Sequence, residues 1–187
     1  TLFRSVSGNG EPTSVKIFAQ AITLIGDIAT ELSVLPASRF VLITNGSLIH
    51  QQRVRDGLKI LRTYGGEVWF KLDSATKEGR SSFNQTAQSA KSSLENLRIS
   101  SELCATKVQT CLFDYAGSGL LETEKQAYLD ALKTISATTD VNEIMLYTLA
   151  RPSMQQEAAH LAALSFDVLN AFAEDIRALG FGVTVSV

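Results

Sequence analysis

The 187-residue sequence holds only two cysteines, Cys104 and Cys111, too few for a disulfide framework or for a cysteine-rich metal cluster built from this chain alone. Both read as small buried hydrophobes. Three prolines, with no low-complexity tract and no fixed-period repeat, leave no linker that would divide the chain. No apolar run approaches the roughly 18 residues of a membrane span, so a soluble, cytoplasmic protein without membrane partners is expected. Blocks of like charge are missing as well. Seventeen Lys and Arg against nineteen Asp and Glu leave a formal net charge of -2, and nucleic-acid binding is not indicated. His50 and His160 have no second His or carboxylate at metal-ligand spacing and read as surface residues.

What is present is the composition of a globular protein, 45% hydrophobic and 19% charged, and a single domain over residues 1–187 is expected. The chain opens on Thr1, not Met, and runs at once into a strand-like segment, so an N-terminal truncation is expected.

Strand and helix patterns alternate along the chain. Leu2 to Val6, Arg39 to Thr44, Glu67 to Leu72, Lys107 to Phe113, Asn142 to Leu149 and Phe181 to Val187 read as six strands. Between them lie five helices. The first has Phe18, Ala21, Ile22, Ile25, Ile28, Ala29 and Leu32 on its predicted inner face, and the second has Val54, Leu58 and Leu61. Gly65-Gly66 ends that second helix. A polar stretch from Ser81 to Leu103 reads as one helix with a thin buried face at Leu94, Leu97 and Phe83. Tyr128, Leu132 and Ile135 mark the fourth helix, and Leu169, Phe172 and Ile176 the fifth, which Ser165 caps and Gly180 closes. Such alternation implies right-handed crossovers and a parallel sheet flanked by helices, either open or curled into a partial barrel. Ligands then bind beyond the carboxyl ends of the strands.

Those ends are polar. Ser7-Gly8-Asn9-Gly10-Glu11-Pro12-Thr13 follows the first strand, Thr44-Asn45-Gly46 closes the second, and Lys71-Leu72-Asp73-Ser74 closes the third. Gln109, Thr110 and Cys111 stand on the fourth, and Tyr147 and Arg151 at the end of the fifth. In the third strand a period of two puts Trp69, Lys71 and Asp73 on one face and Val68, Phe70 and Leu72 on the other. Lys71 and Asp73 therefore point away from the covering helix, as functional groups or as an ion pair. Glu11 beside two glycines suits an ammonium group and would repel a phosphate, although the same residues also make an ordinary turn in which Pro12 starts a helix. Arg151 could hold a substrate carboxylate or phosphate, or pair with Asp140 or Glu143. Glu122, Glu124 and Lys125 read as a solvated helix start with no chemistry assigned.

Taken in order, these segments resemble the radical S-adenosylmethionine superfamily, whose members build a TIM-like partial parallel β/α barrel around S-adenosylmethionine and a [4Fe-4S] cluster. Val6 to Thr13 looks like the family's Gly-Gly-Glu-Pro segment, which implies that Glu11, with Gly8 and Gly10, holds the cofactor's amino group. Ile43 to Gly46, with Asn45, looks like the Thr-Asn-Gly strand end. Phe70 to Ser74 looks like the next strand end, implying cofactor contacts for Lys71, Asp73 and Ser74, with Gln109 on the following strand. Tyr147 and Arg151 would then face the substrate.

The resemblance implies an oxidoreductase or transferase that takes one electron from a donor, generates a 5'-deoxyadenosyl radical and abstracts hydrogen from its substrate. One part of the pattern is missing. The Cys-x3-Cys-x2-Cys cluster motif does not occur in the sequence, so no metal ligand is assigned, the cluster ligands are expected upstream of Thr1, and the chain alone is expected to be inactive. Two alternatives come from other classes: a Schiff-base aldolase-like barrel using Lys71 as nucleophile, and a non-catalytic nucleotide-binding domain.

Overall fold

The computed structural model describes residues 3–7, 10–83, 88–150 and 156–187. The strands are β1 (Phe3–Val6), β2 (Arg39–Thr44), β3 (Glu67–Lys71), β4 (Ala105–Cys111), β5 (Phe113–Tyr115), β6 (Glu143–Tyr147), β7 (Leu161–Ala163) and β8 (Gly182–Ser186). The helices are α1 (Phe18–Glu31), α2 (Gln52–Thr63), α3 (Lys77–Phe83), α4 (Ala90–Leu103), α5 (Glu122–Thr138) and α6 (Phe166–Arg177). Six strands form one sheet in the order β1-β2-β3-β4-β6-β8, and the pairs β1–β2, β2–β3, β4–β6 and β6–β8 are parallel. The expected α/β architecture is present.

Three elements depart from the sequence expectation. The predicted helix Ser81 to Leu103 is two helices, α3 and α4. The predicted fourth strand stops at Cys111, and Phe113–Tyr115 turns instead into a separate antiparallel pair with β7. In α1, Ile25, Ile28 and Leu32 were expected inside but are exposed, while Phe18, Ile22 and Gly26 are buried. Glycines decide that rotation. A Cβ on Gly26 would lie 2.4 Å from the Tyr64 ring, and one on Gly57 would lie 2.4 Å from the Phe18 ring. Helices α1 and α2 thus meet through small residues facing large ones, an approach that the bulkier isoleucine stripe would prevent.

By packing, the chain forms two compact units. The first comprises Thr1–Lys71, Lys91–Lys107 and Thr139–Val141. Its core contains Phe18, Ile22, Val41, Leu42, Leu58 and Phe70, all nearly inaccessible to solvent. Strand β3 shows the alternation read from sequence: Val68 and Phe70 are buried while Trp69 and Lys71 are half-exposed. Glu67 at its start is also buried, pairing with Arg39 at 3.3 Å and Lys107 at 3.6 Å and accepting from Trp69 Nε1 at 2.8 Å. In α4 the expected Leu97 is buried, but its companions on the buried face are polar, Ser93, Asn96 and Ser100, and Leu94 is only half-buried.

The second unit comprises Leu72–Ala90, Val108–Thr138 and Asn142–Val187. Helices α5 and α6 pack here through Tyr128 and Phe172, whose ring centroids are 5.8 Å apart, and Leu132, Ile135, Leu169 and Ile176 complete the buried set. Ser165 caps α6 by accepting from Val168 N, and Gly180 leaves the helix at φ +93°.

Candidate functional site

In the first unit, the segment after β1 and the end of β2 meet at Glu11. Pro12 at the first helical position starts the 3-10 turn Pro12–Ser14, and Glu11 caps it. Its Oε1 accepts from Thr13 N at 3.1 Å, Thr13 Oγ1 at 2.6 Å and Thr44 Oγ1 at 2.5 Å, while Oε2 accepts from Asn45 N at 2.8 Å. Both threonines are buried. Arg53 at the start of α2 holds the same turn from behind, donating to the carbonyls of Thr13 and Val15 at 2.7 Å each.

The β2 end is built as tightly. Thr44 Oγ1 also accepts from Gly46 N at 3.0 Å, Asn45 Oδ1 accepts from Ser47 N at 2.9 Å, and Asn96 Nδ2 donates to the Gly46 carbonyl at 2.9 Å. Gly46 has φ +71°, and a Cβ there would lie 2.1 Å from the Phe70 ring. Glu11 therefore has a set orientation. It borders a cavity of about 370 Å³ together with Val6, Ser7, Gly10, Val15 and Ile25, within the size range of small-molecule sites. Lys71 ends β3 of the same unit and is half-buried.

In the second unit, Asp73 and Ser74 follow Leu72, whose N–H donates to the Gln109 carbonyl at 3.0 Å. Asp73 Oδ1 accepts from Cys111 N at 2.9 Å. The buried Ser74 donates to Glu124 Oε2 at 2.8 Å, and the Thr76 hydroxyl donates to Glu124 Oε1. Glu124 is thus the anchor of the loop after β3, a correction to its reading as a solvated helix start. Arg80 is buried below the loop, donating through Nε to the Gln88 carbonyl at 3.0 Å and through Nη1 to that of Ser74 at 3.3 Å. Burial lowers its pKa and the charge of nearby Asp73 opposes that shift. The Tyr147 carbonyl accepts from Leu112 N at 2.8 Å at the ends of β6 and β4.

The structure thus brings Gly10, Glu11 and Asn45 together in the first unit; in the second, Asp73 bonds the end of β4, Gln109 lies within β4, Tyr147 ends β6, and Ser74 is turned to Glu124. Gly8 and Arg151 lie outside the described residues. Thr13, Thr44, Arg53, Asn96 and Glu124 were not singled out from sequence as site residues, because each works through a partner more than 25 positions away or on a turn that sequence spacing does not pair. Thr44 next to Asn45-Gly46 was the one available signal.

His50 and His160 are exposed. Among the described residues no group of three or more His, Cys, Asp or Glu side chains could hold a metal ion. Cys104 is buried with its Sγ 3.3 Å from the Gly66 carbonyl, and burial pushes its thiol up to about 12. Cys111 is half-buried in the second unit. No helix among the described residues is long and apolar enough to cross a membrane.

Neither the family models nor the curated proteins contain a match to this chain. Solved structures do. A domain of pyruvate-formate lyase-activating enzyme from Bacteroides vulgatus ATCC 8482 superposes with a TM-score of 0.65 at 14% identity, covering 100% of both chains. A radical SAM methyltransferase from Sphaerobacter thermophilus gives a TM-score of 0.58 at 14% identity over 79% of this chain and 40% of its own. The fold of this chain is the α/β fold that these two proteins share with it.

Proposed function

We propose that this chain is the S-adenosylmethionine-binding core of a radical SAM enzyme, with Glu11 as the acceptor for the cofactor's ammonium group. The observation that carries this reading is Glu11 itself, oriented by Thr13, Thr44 and Asn45 and bordering a 370 Å³ cavity. A carboxylate offers about four acceptor sites, and among the described residues Oε2 accepts only from Asn45 N. An ammonium group can therefore dock without displacing the bonds that hold the side chain.

S-adenosylmethionine would supply a carbon-sulfur bond that, cleaved by one electron, yields the hydrogen-abstracting species. The residues of this chain bind and orient. Glu11 takes the ammonium, Asn45 holds Glu11 from the second strand end, and Arg53 fixes the turn so that the carboxylate pays little reorganisation on binding. Lys71, which ends β3 in the same unit, is assigned to the cofactor's carboxylate or ribose. An iron-sulfur cluster has no donor set among the described residues.

Calorimetry tests the assignment with S-adenosylmethionine and with 5'-methylthioadenosine, which lacks the amino acid portion. The unaltered protein should favour S-adenosylmethionine, and Glu11→Gln should lose about tenfold of that preference. Equal preference in both proteins would sink the role of Glu11.

A further inference from the structure

Helix α1 carries more apolar surface than its own unit covers. At about 100° of rotation per residue, Ile17, Ala21, Leu24, Ile25, Ile28 and Leu32 fall within one sector of roughly 100°. Gly26 and Ala19, which meet Tyr64 and the Gly57 side of α2, lie on the opposite side of the helix. The stripe is therefore turned away from α2, and it is exposed, with Leu24 at 60% and Leu32 at 69%. Its five large side chains present about 500 Å² to solvent, near the top of the roughly 300–600 Å² of the largest apolar patch on an ordinary monomer.

The sheet is open on this side as well. Strand β1 is an edge, paired with β2 alone among the described strands, and Phe3, Arg4 and Ser5 are exposed. Such an edge offers unpaired backbone N–H and C=O groups to another chain. Helix α1 joins β1 to β2 and so lies over that pair. A two-fold axis at the free edge of β1 sets two copies of α1 about 10 Å apart, two strand spacings of roughly 4.8 Å, and helices pack at about 8–10 Å. One symmetry operation satisfies both the strand edge and the helix stripe.

We propose that this flank binds a second copy of the chain, in a two-fold dimer with β1 antiparallel to β1 and α1 antiparallel to α1. Area and charge select a second copy over another partner. Two such stripes bring together about 1,000 Å² before the strand edges are counted, the size at which specific interfaces begin. With the axis at Leu24, the middle of the stripe, the exposed Lys16 of each copy falls beside the exposed Glu31 of the other, so the surface is complementary to itself at both ends. Ala21 and Ile25 also border the cavity beside Glu11, so the second copy closes that cavity along α1. The assignment rests on α1 and β1 and requires no cofactor, so it stands or falls separately from the S-adenosylmethionine reading.

Sedimentation equilibrium of the full chain, without cofactor, at about 1–100 µM is the test. Twice the monomer mass should appear, with a dissociation constant inside that range. Leu24→Glu, at a position exposed in the single chain, should be monomeric throughout with unchanged helix content by circular dichroism. Val168→Glu, at an exposed apolar position of α6, should leave the dimer intact. Lys16→Glu should weaken association about three- to tenfold, and adding Glu31→Lys should restore it. That restoration is specific to antiparallel α1 helices and decides the question even if Leu24→Glu does not fold. A monomer at about 100 µM, which would leave the flank to a different protein, overturns the proposal, as does a dimer that persists in Leu24→Glu or a charge reversal that is not rescued.

Discussion

The Thr44 hydroxyl donates to Glu11 Oε1 at 2.5 Å, across 33 positions of sequence, and accepts from Gly46 N at 3.0 Å. One side chain thereby joins the segment after β1 to the end of β2. Thr44→Val keeps the shape and removes both bonds, leaving the buried Gly46 N–H without this acceptor and Glu11 Oε1 with one donor fewer. We expect a loss of about 1–3 kcal/mol in urea unfolding, together with weaker S-adenosylmethionine binding in calorimetry. An unchanged unfolding midpoint would show that Glu11 is not held by this bond.

Gly46→Ala should be more damaging. The backbone at φ +71° disfavours any side chain, and the added methyl meets the Phe70 ring at 2.1 Å. The expected cost is about 2–4 kcal/mol, from backbone strain plus overpacking. A thermal unfolding curve within a degree of the parent would contradict it.

Glu67 carries a prediction about buried charge. Removing it with Glu67→Ala leaves Lys107, whose side chain is only 17% exposed, and the Trp69 indole N–H without this partner. We expect about 2–4 kcal/mol of destabilisation. Glu67→Gln, which can still accept from Trp69, should retain part of it. Equal losses in the two variants would mean that charge pairing, not the indole bond, is the whole effect.

Cys104 sets a pH dependence. Burial raises its thiol from 9.0 to about 12, so the folded protein keeps a proton that the unfolded chain releases above about 9. The contribution to stability is complete below pH 9 and erodes as pH rises toward 12. The stability of the parent relative to Cys104→Ala should therefore fall over that range in urea titrations. A relative stability independent of pH between 8 and 11 would refute the assignment. In thiol labelling at pH 8, the half-buried Cys111 should react first and Cys104 only on unfolding.

Much of this protein was determined by the local chemistry of its sequence. The period of two in Val68 to Leu72, the helical stripes Val54-Leu58-Leu61 and Leu169-Phe172-Ile176, and the turns at Gly46, Gly65 and Gly180 depend on near neighbours, so they were legible before any fold was known. The polar strand ends, with Glu11, Asn45, Lys71 and Asp73, followed from the alternation. Tertiary structure decided what depends on distant partners. Gly26 against Tyr64 and Gly57 against Phe18 turned α1 so that Ile25 and Ile28 face outward, against its own hydrophobic pattern. Ser74 and Thr76 made Glu124 an anchor, though in sequence it is one more acid in the first turn of a helix. Periodicity reports which residues are apolar; only packing reports which of them a neighbour can approach, and which carboxylate lies within a hydrogen bond of a loop 50 residues away.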